Sequence, residues 1–201
     1  MIDRITKSLL KDFTSKFDFS EETDETVIFE HFVNYTILEK KLEDRLDEDN
    51  LEKINIGING TFGLDGFCIL INKHLITSKE DLNEIISNNV KPSAEVFFIQ
   101  AKTSNSFEVK EISSFGNAIE DFVAIEQKYK WSESSMLSIE LFKDLTNRAN
   151  ELESNPNCFI YYSTLGTYKS DQNTEAQKTN ILDAITNQRV FNKIEFNYLD
   201  Y

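Results

Sequence analysis

The chain has 201 residues, 40% of them hydrophobic and 12% aromatic, with sixteen Phe and only six Gly and two Pro. That is core material for one packed domain, and it excludes a disordered or loop-dominated polypeptide. A formal net charge of −14 disfavours loose, sequence-independent binding to nucleic acid, which draws on basic surface. It leaves room for an enzyme that meets phosphate through a metal ion and a few placed cations.

Residues 1–20 predict a short amphipathic helix carrying Ile2, Ile5, Leu9 and Phe13, closed by the acidic punctuation "SEETDET". A second helix is expected from Asp24 to about Leu46, apolar nearly all round in its first half, which signals packing on more than one side. "DEDN" is expected to close it. From Leu51 to Ile76 the pattern turns to strands, with Gly57, Gly60, Gly63 and Gly66 marking tight backbone turns. "FCILIN" and "HLIT" form a strand pair with Asn72-Lys73 at the turn, and Ser78 with Asp81 opens a helix in the manner of a capping box. "AEVFFIQAKTS" is apolar on both faces and is expected as a central strand. Two helices follow, the first with Val109, Ile112, Phe115, Ile119, Phe122 and Val123 at helical spacing, the second over about Glu133 to Leu152. "CFIYYST" reads as a buried strand, "NTEAQKTNILDAI" as a helix and "FNKIEFNYL" as the last strand. This order predicts an α/β fold with a central mixed sheet flanked by helices.

Cys68 and Cys158 lie in apolar runs and read as reduced core thiols. The N-terminus lacks a secretory apolar core and no segment reaches transmembrane length, so a cytoplasmic protein with no membrane partner is expected. His31 and His74 lack ligand-like spacing and read as core or surface residues. "STLGTYKS" reads as a turn, with a phosphate contact through Ser163, Thr164 or Lys169 as the alternative.

One strand carries a chemical oddity. Val96, Phe97, Phe98 and Ile99 run straight into Gln100 and Lys102, which share a face because strand side chains alternate. A lysine ending a buried strand is costly without a partner. Asp65, between glycines in "FGLDGF", opens the preceding long strand. An acid starting one strand and an amide-x-ammonium pair ending its neighbour suit metal-dependent phosphodiester hydrolysis, with Mg²⁺ or Mn²⁺ on oxygen ligands and Lys102 offsetting charge on the phosphate. Plainer readings stand beside this one: Asp65 as a turn residue, and Gln100 and Lys102 as a strand end emerging into solvent.

"FEHFV", "GLDGFCILIN", "FFIQAKTSNSFE" and "CFIYYSTLG" together resemble the PD-(D/E)XK nuclease superfamily in its Gln-x-Lys variant, as in Mrr-like restriction endonucleases. More narrowly, they resemble the N-terminal domain of AIPR (abortive infection phage resistance) proteins, over about residues 25–170. The resemblance implies a restriction-endonuclease-like core and a Mg²⁺- or Mn²⁺-dependent nuclease of bacterial antiphage defence. Asp65 takes the place of the metal-binding Asp, Gln100 that of the usual Glu, and Lys102 that of the catalytic Lys. Glu30 matches the acid carried on the first core helix, with a plain structural salt bridge as its alternative, and the backbone carbonyl of Ala101 would be a further ligand. Gln100 supplies a neutral oxygen where the family usually has a charge, which puts more weight on Glu30. A catalytically inactive binding or regulatory module of the same fold is the rival expectation. The implied partner is nucleic acid, DNA favoured over RNA. A single nuclease-like domain over 1–201 is expected, with 1–23 as a helical extension and 24–201 as the core. Family members are generally longer, so C-terminal domains or a second subunit of a homodimer would supply a basic tract.

Overall fold

The computed structural model describes residues 4–20, 22–57, 63–87 and 90–201. Ile2, Gly60 and the rest of the 58–62 segment lie outside them. In chain order the elements are α1 (Arg4–Lys16), α2 (Glu25–Leu38), α3 (Glu48–Ile54), β1 (Gly66–Ile71), β2 (His74–Ile76), α4 (Lys79–Ile86) and β3 (Ala94–Lys102). They continue with α5 (Val109–Val123), α6 (Glu133–Asn147), a short 3₁₀ turn at Ala149–Glu151, β4 (Asn157–Thr164), α7 (Gln172–Asn187) and β5 (Lys193–Asp200).

The five strands form one mixed sheet in the order β2-β1-β3-β4-β5. β1 pairs antiparallel with β2 and β3, while β3, β4 and β5 run parallel. β3 is the central strand, as its two apolar faces require. Its even-numbered residues Val96 and Phe98 join Phe67, Ile69 and Ile71 of β1 against Ile112, Phe115, Ile119 and Phe122 of α5 and Phe142 of α6. Its odd-numbered residues Phe97, Ile99 and Ala101 join Cys68 and Leu70 against Phe29, Phe32 and Val33 of α2 and Leu51 and Ile54 of α3. The period-2 alternation of strand side chains therefore separates two apolar layers, one under α5–α7 and one under α1–α3.

Local chemistry explains most boundaries. Asn72 and Lys73 both have positive φ, 48° and 67°, the left-handed geometry that a two-residue hairpin needs. Ser78 and Asp81 close a reciprocal capping box at the start of α4. Asp24 caps α2 by accepting from Thr26 N at 2.7 Å. Both cysteines are fully buried and burial pushes their thiols up, so they stay protonated core side chains. Among the described residues no helix is long and apolar enough to cross a membrane.

Four expectations are corrected. α2 ends at Leu38, not Leu46, because the stretch after it, "EKKLEDRL", offers no continuous apolar stripe to pack. "DEDN" opens a helix instead of only closing one: Asp47 accepts from Asn50 N at 2.8 Å, Glu48 and Asp49 sit in the positive first turn, and Leu51 and Ile54 are buried. Among the described residues strand structure therefore begins at Gly66, apart from an isolated bridge between Asn55 and Gly66. In α1 the buried side is Thr6 and Phe13, with Phe17 just beyond the helix, while Ile5 and Leu9 are 73% and 46% exposed. Ser163 and Thr164 are fully buried at the end of β4, as "CFIYYST" predicts, and only the stretch from Leu165 on leaves the sheet.

Candidate active site

The site begins with a mismatch of strand lengths. β1 starts at Gly66, opposite Ile99, whereas β3 runs on to Lys102. Gln100, Ala101 and Lys102 therefore pair with Tyr162, Ser163 and Thr164 of β4 on one side, and no β1 residue continues the ladder on the other. The overhang is a notch in the sheet, where groups from the α2 layer and the α5 layer can meet.

Asp65 fills the notch. Its backbone N–H donates to Ile99 O at 3.1 Å, and its carbonyl accepts from Ile56 N at 2.9 Å and Gly57 N at 3.1 Å. Its side chain then does what the missing strand residue would have done, since Oδ2 accepts the Ala101 N–H at 2.9 Å. The Gln100 side-chain amide donates to the same oxygen. The Ala101 carbonyl lies on the same strand edge as its N–H, because both groups of a strand residue point to one side. Asp65 is 8% and Gln100 1% exposed.

Glu30 reaches the notch from α2 on the other layer. Burial, and then the neighbouring Asp65 charge, raise its carboxyl to about 7, against the opposing pull of Asn55 and Lys102. Burial raises Asp65 to about 6, opposed by Lys102 and by the two hydrogen bonds from Ala101 and Gln100. The fold thus brings Glu30, Asp65, Gln100, Ala101 and Lys102 to one place. Lys102 is half-buried and makes no ion pair within 4 Å among the described residues. The histidines stay outside this group. His31 is buried beside Phe19 and burial lowers it to about 4, so it is a neutral core side chain. His74 sits near Glu43 and Asp44 at the hairpin.

Residues that the sequence reading passed over complete the notch. Asn34, one helical turn after Glu30, is wholly buried, and neither of its amide atoms has a partner among the described residues. It presses on the mouth of β1: a Cβ on Gly66 would lie 2.1 Å from Asn34 Oδ1, so a larger residue there would have to displace the buried Asn34 side chain. Asn55, bridged to Gly66, faces Glu30, and its buried Nδ2 closes no hydrogen bond of ordinary geometry. The signal available in the sequence was an asparagine inside each of two apolar runs, "HFVNYTIL" and "INIG". On the α5 side, Gly63, Gln100, Lys102, Lys110, Glu111 and Ser114 line a cleft of about 210 Å³.

The donor set fits a hard divalent cation. Two carboxylates, an amide and a peptide carbonyl offer oxygen only, the chemistry of Mg²⁺ and Mn²⁺ rather than zinc. The buried Asn34 amide, unpartnered among the described residues, is a polar group that an ordered water would satisfy. Among the described residues no group of three His, Cys, Asp or Glu comes together, so this donor set carries only two charged ligands.

The raised carboxyls set the sign of a pH dependence. The folded protein holds protons on Glu30 and Asp65 that the unfolded chain, with ordinary carboxyl values near 4, has already released. Stability of the metal-free protein therefore falls as pH rises from about 4 to about 7. A cation competes with the same protons. Saturating Mn²⁺, at about 100-fold over its Kd, should raise Tm by about 5–10 °C at pH 8. The shift should shrink to near zero at pH 5, a comparison that differential scanning fluorimetry makes directly.

No family model, no curated protein and no solved structure matches the chain. What the fold itself defines is an α/β protein with a five-stranded mixed sheet flanked by helices.

Proposed function

We propose that this chain is a metal-dependent nuclease domain with a restriction-endonuclease-like core, hydrolysing phosphodiester bonds in nucleic acid, DNA in preference to RNA. The setting implied by its sequence resemblance is bacterial antiphage defence. The observation that carries this reading is the meeting of Asp65, Gln100, Lys102 and Glu30 in one notch, with two carboxyls raised by burial. Such a pair is poised to give up protons to a cation near neutral pH.

Glu30 and Asp65 would hold Mg²⁺ or Mn²⁺, with the oxygens of Gln100 and Ala101 completing the protein ligands. The bound ion would polarise the phosphate and lower the pKa of a coordinated water. The hydrogen bonds from Ala101 and Gln100 fix the Asp65 carboxylate, so its orientation costs nothing at the moment of reaction. Lys102, on the same strand face as Gln100, offsets negative charge growing on the phosphate oxygens.

The experiment is incubation of supercoiled plasmid with the protein and Mn²⁺. Relaxed and linear products that disappear with EDTA are the expected result. No product with any of Mg²⁺, Mn²⁺ or Co²⁺, on plasmid or on RNA, removes the enzyme reading. A second reading rests on Gln100: with a neutral side chain there and only two acids gathered, the same notch would serve a binding or regulatory module.

A further inference from the structure

The cleft on the α5 side of the notch is a different environment from the carboxylate pair. Lys110 and Ser114 stand four residues apart on α5, hence on one helix face, and line it together with Lys102 from β3. Gln100, almost wholly buried, also lines it. Neither lysine has an ion pair within 4 Å among the described residues. The same mouth receives the first turn of α5, where Glu108 makes no side-chain cap, so the positive end of a fifteen-residue helix is uncapped by it. In a chain of net charge −14, two ammonium groups with no ion pair within 4 Å among the described residues, a hydroxyl and a helix start that Glu108 does not cap, in one cleft of about 210 Å³, match the chemistry of a phosphate group.

The local charge balance adds a condition. Glu111 also lines the cleft, held toward β4 by the hydroxyl of the buried Tyr162, which donates to Oε2 at 3.3 Å. At pH 8, where Glu30 and Asp65 are ionised, they and Glu111 outweigh Lys102 and Lys110, so an approaching phosphodiester meets net negative charge. A divalent cation at the notch reverses that sign. We infer that Lys110 and Ser114 grip a DNA backbone phosphate neighbouring the one at Lys102, and that this grip engages only when the notch holds a divalent cation. The inference rests on the nuclease reading and assigns α5 as the surface that holds the strand.

The test is fluorescence anisotropy with a labelled DNA duplex, at matched ionic strength, in Ca²⁺ (chosen to bind the site without supporting hydrolysis) and in EDTA. Native protein should bind at least about tenfold tighter in Ca²⁺, within the usual range of coupling between sites. In Ca²⁺, Lys110→Ala should weaken binding by about fivefold and reduce the slope of log affinity against log salt by about one, with Ser114→Ala weaker in the same direction. The Ca²⁺-induced rise in Tm should be the same in Lys110→Ala as in native protein, which separates loss of the phosphate grip from loss of the fold or of the metal. Unchanged affinity and salt slope in Lys110→Ala, with native binding intact, overturn the α5 assignment and leave the nuclease reading standing. Equal native affinity in Ca²⁺ and EDTA overturns the coupling. Absence of any DNA binding by native protein overturns both.

Discussion

Replacing Lys102 with alanine should lower Mn²⁺-dependent plasmid nicking by about 10²–10³-fold, the usual cost of removing one preorganised electrostatic group from a transition state. The fold should survive, because Lys102 is half-buried and makes no ion pair within 4 Å among the described residues. Metal binding at pH 8 should hold or strengthen. Lys102 lowers both carboxyls by its charge, and the same charge repels an incoming cation, so its removal favours the ion once the acids are ionised. A variant that binds Mn²⁺ like native protein and does not cut is the signature of a residue acting on the phosphate. Native-level cutting by Lys102→Ala would end the nuclease reading, and the notch would then be a metal or interaction site.

Glu30→Gln should move stability and activity in opposite directions. Ionised Glu30 is partly buried beside ionised Asp65 at pH 8, and both burial and that neighbour disfavour its charge. Glutamine keeps the shape and relieves the repulsion. The metal-free variant should therefore unfold at a higher temperature at pH 8, by about 2–4 °C for each kcal/mol gained. At pH 4.5, where native Glu30 is protonated, the difference should vanish. Nicking should fall by at least about 10²-fold, since one of only two charged ligands is gone and the metal contributes several kcal/mol to the transition state. The Mn²⁺ shift in Tm should fall with it. If Glu30 were an ordinary salt-bridge partner, the glutamine variant would lose stability at pH 8 and keep its metal response.

The two halves of this molecule were not equally readable. Local chemistry carried β3, the hairpin and α4, because each rests on signals within a few residues: an apolar run, two residues that accept positive φ, a Ser and an Asp three apart. Strand parity likewise put Gln100 and Lys102 on one face. α3 escaped because its seven residues make only about two turns packed on β1, too short for a sustained helical period. The phase of α1 escaped because its apolar residues point two ways, and only contact with α2 selects Phe13 over Ile5 and Leu9. The notch itself is a property of register. That β3 outruns β1 by three residues follows from the pairing of Gly66 with Ile99, which no local pattern states. Asn34, Asn55 and the α5 cleft became visible only with that register in hand.

One cation shared by Asp65 and Glu30 is the centre of the proposed site. Crystals grown with Mn²⁺ and measured at a wavelength where manganese scatters anomalously put the question directly. A single anomalous peak between the two carboxylates, within about 2.0–2.6 Å of an oxygen of each, is the result this account predicts. A well-diffracting crystal at saturating Mn²⁺ with no peak in the notch, or with manganese only on surface carboxylates, contradicts it.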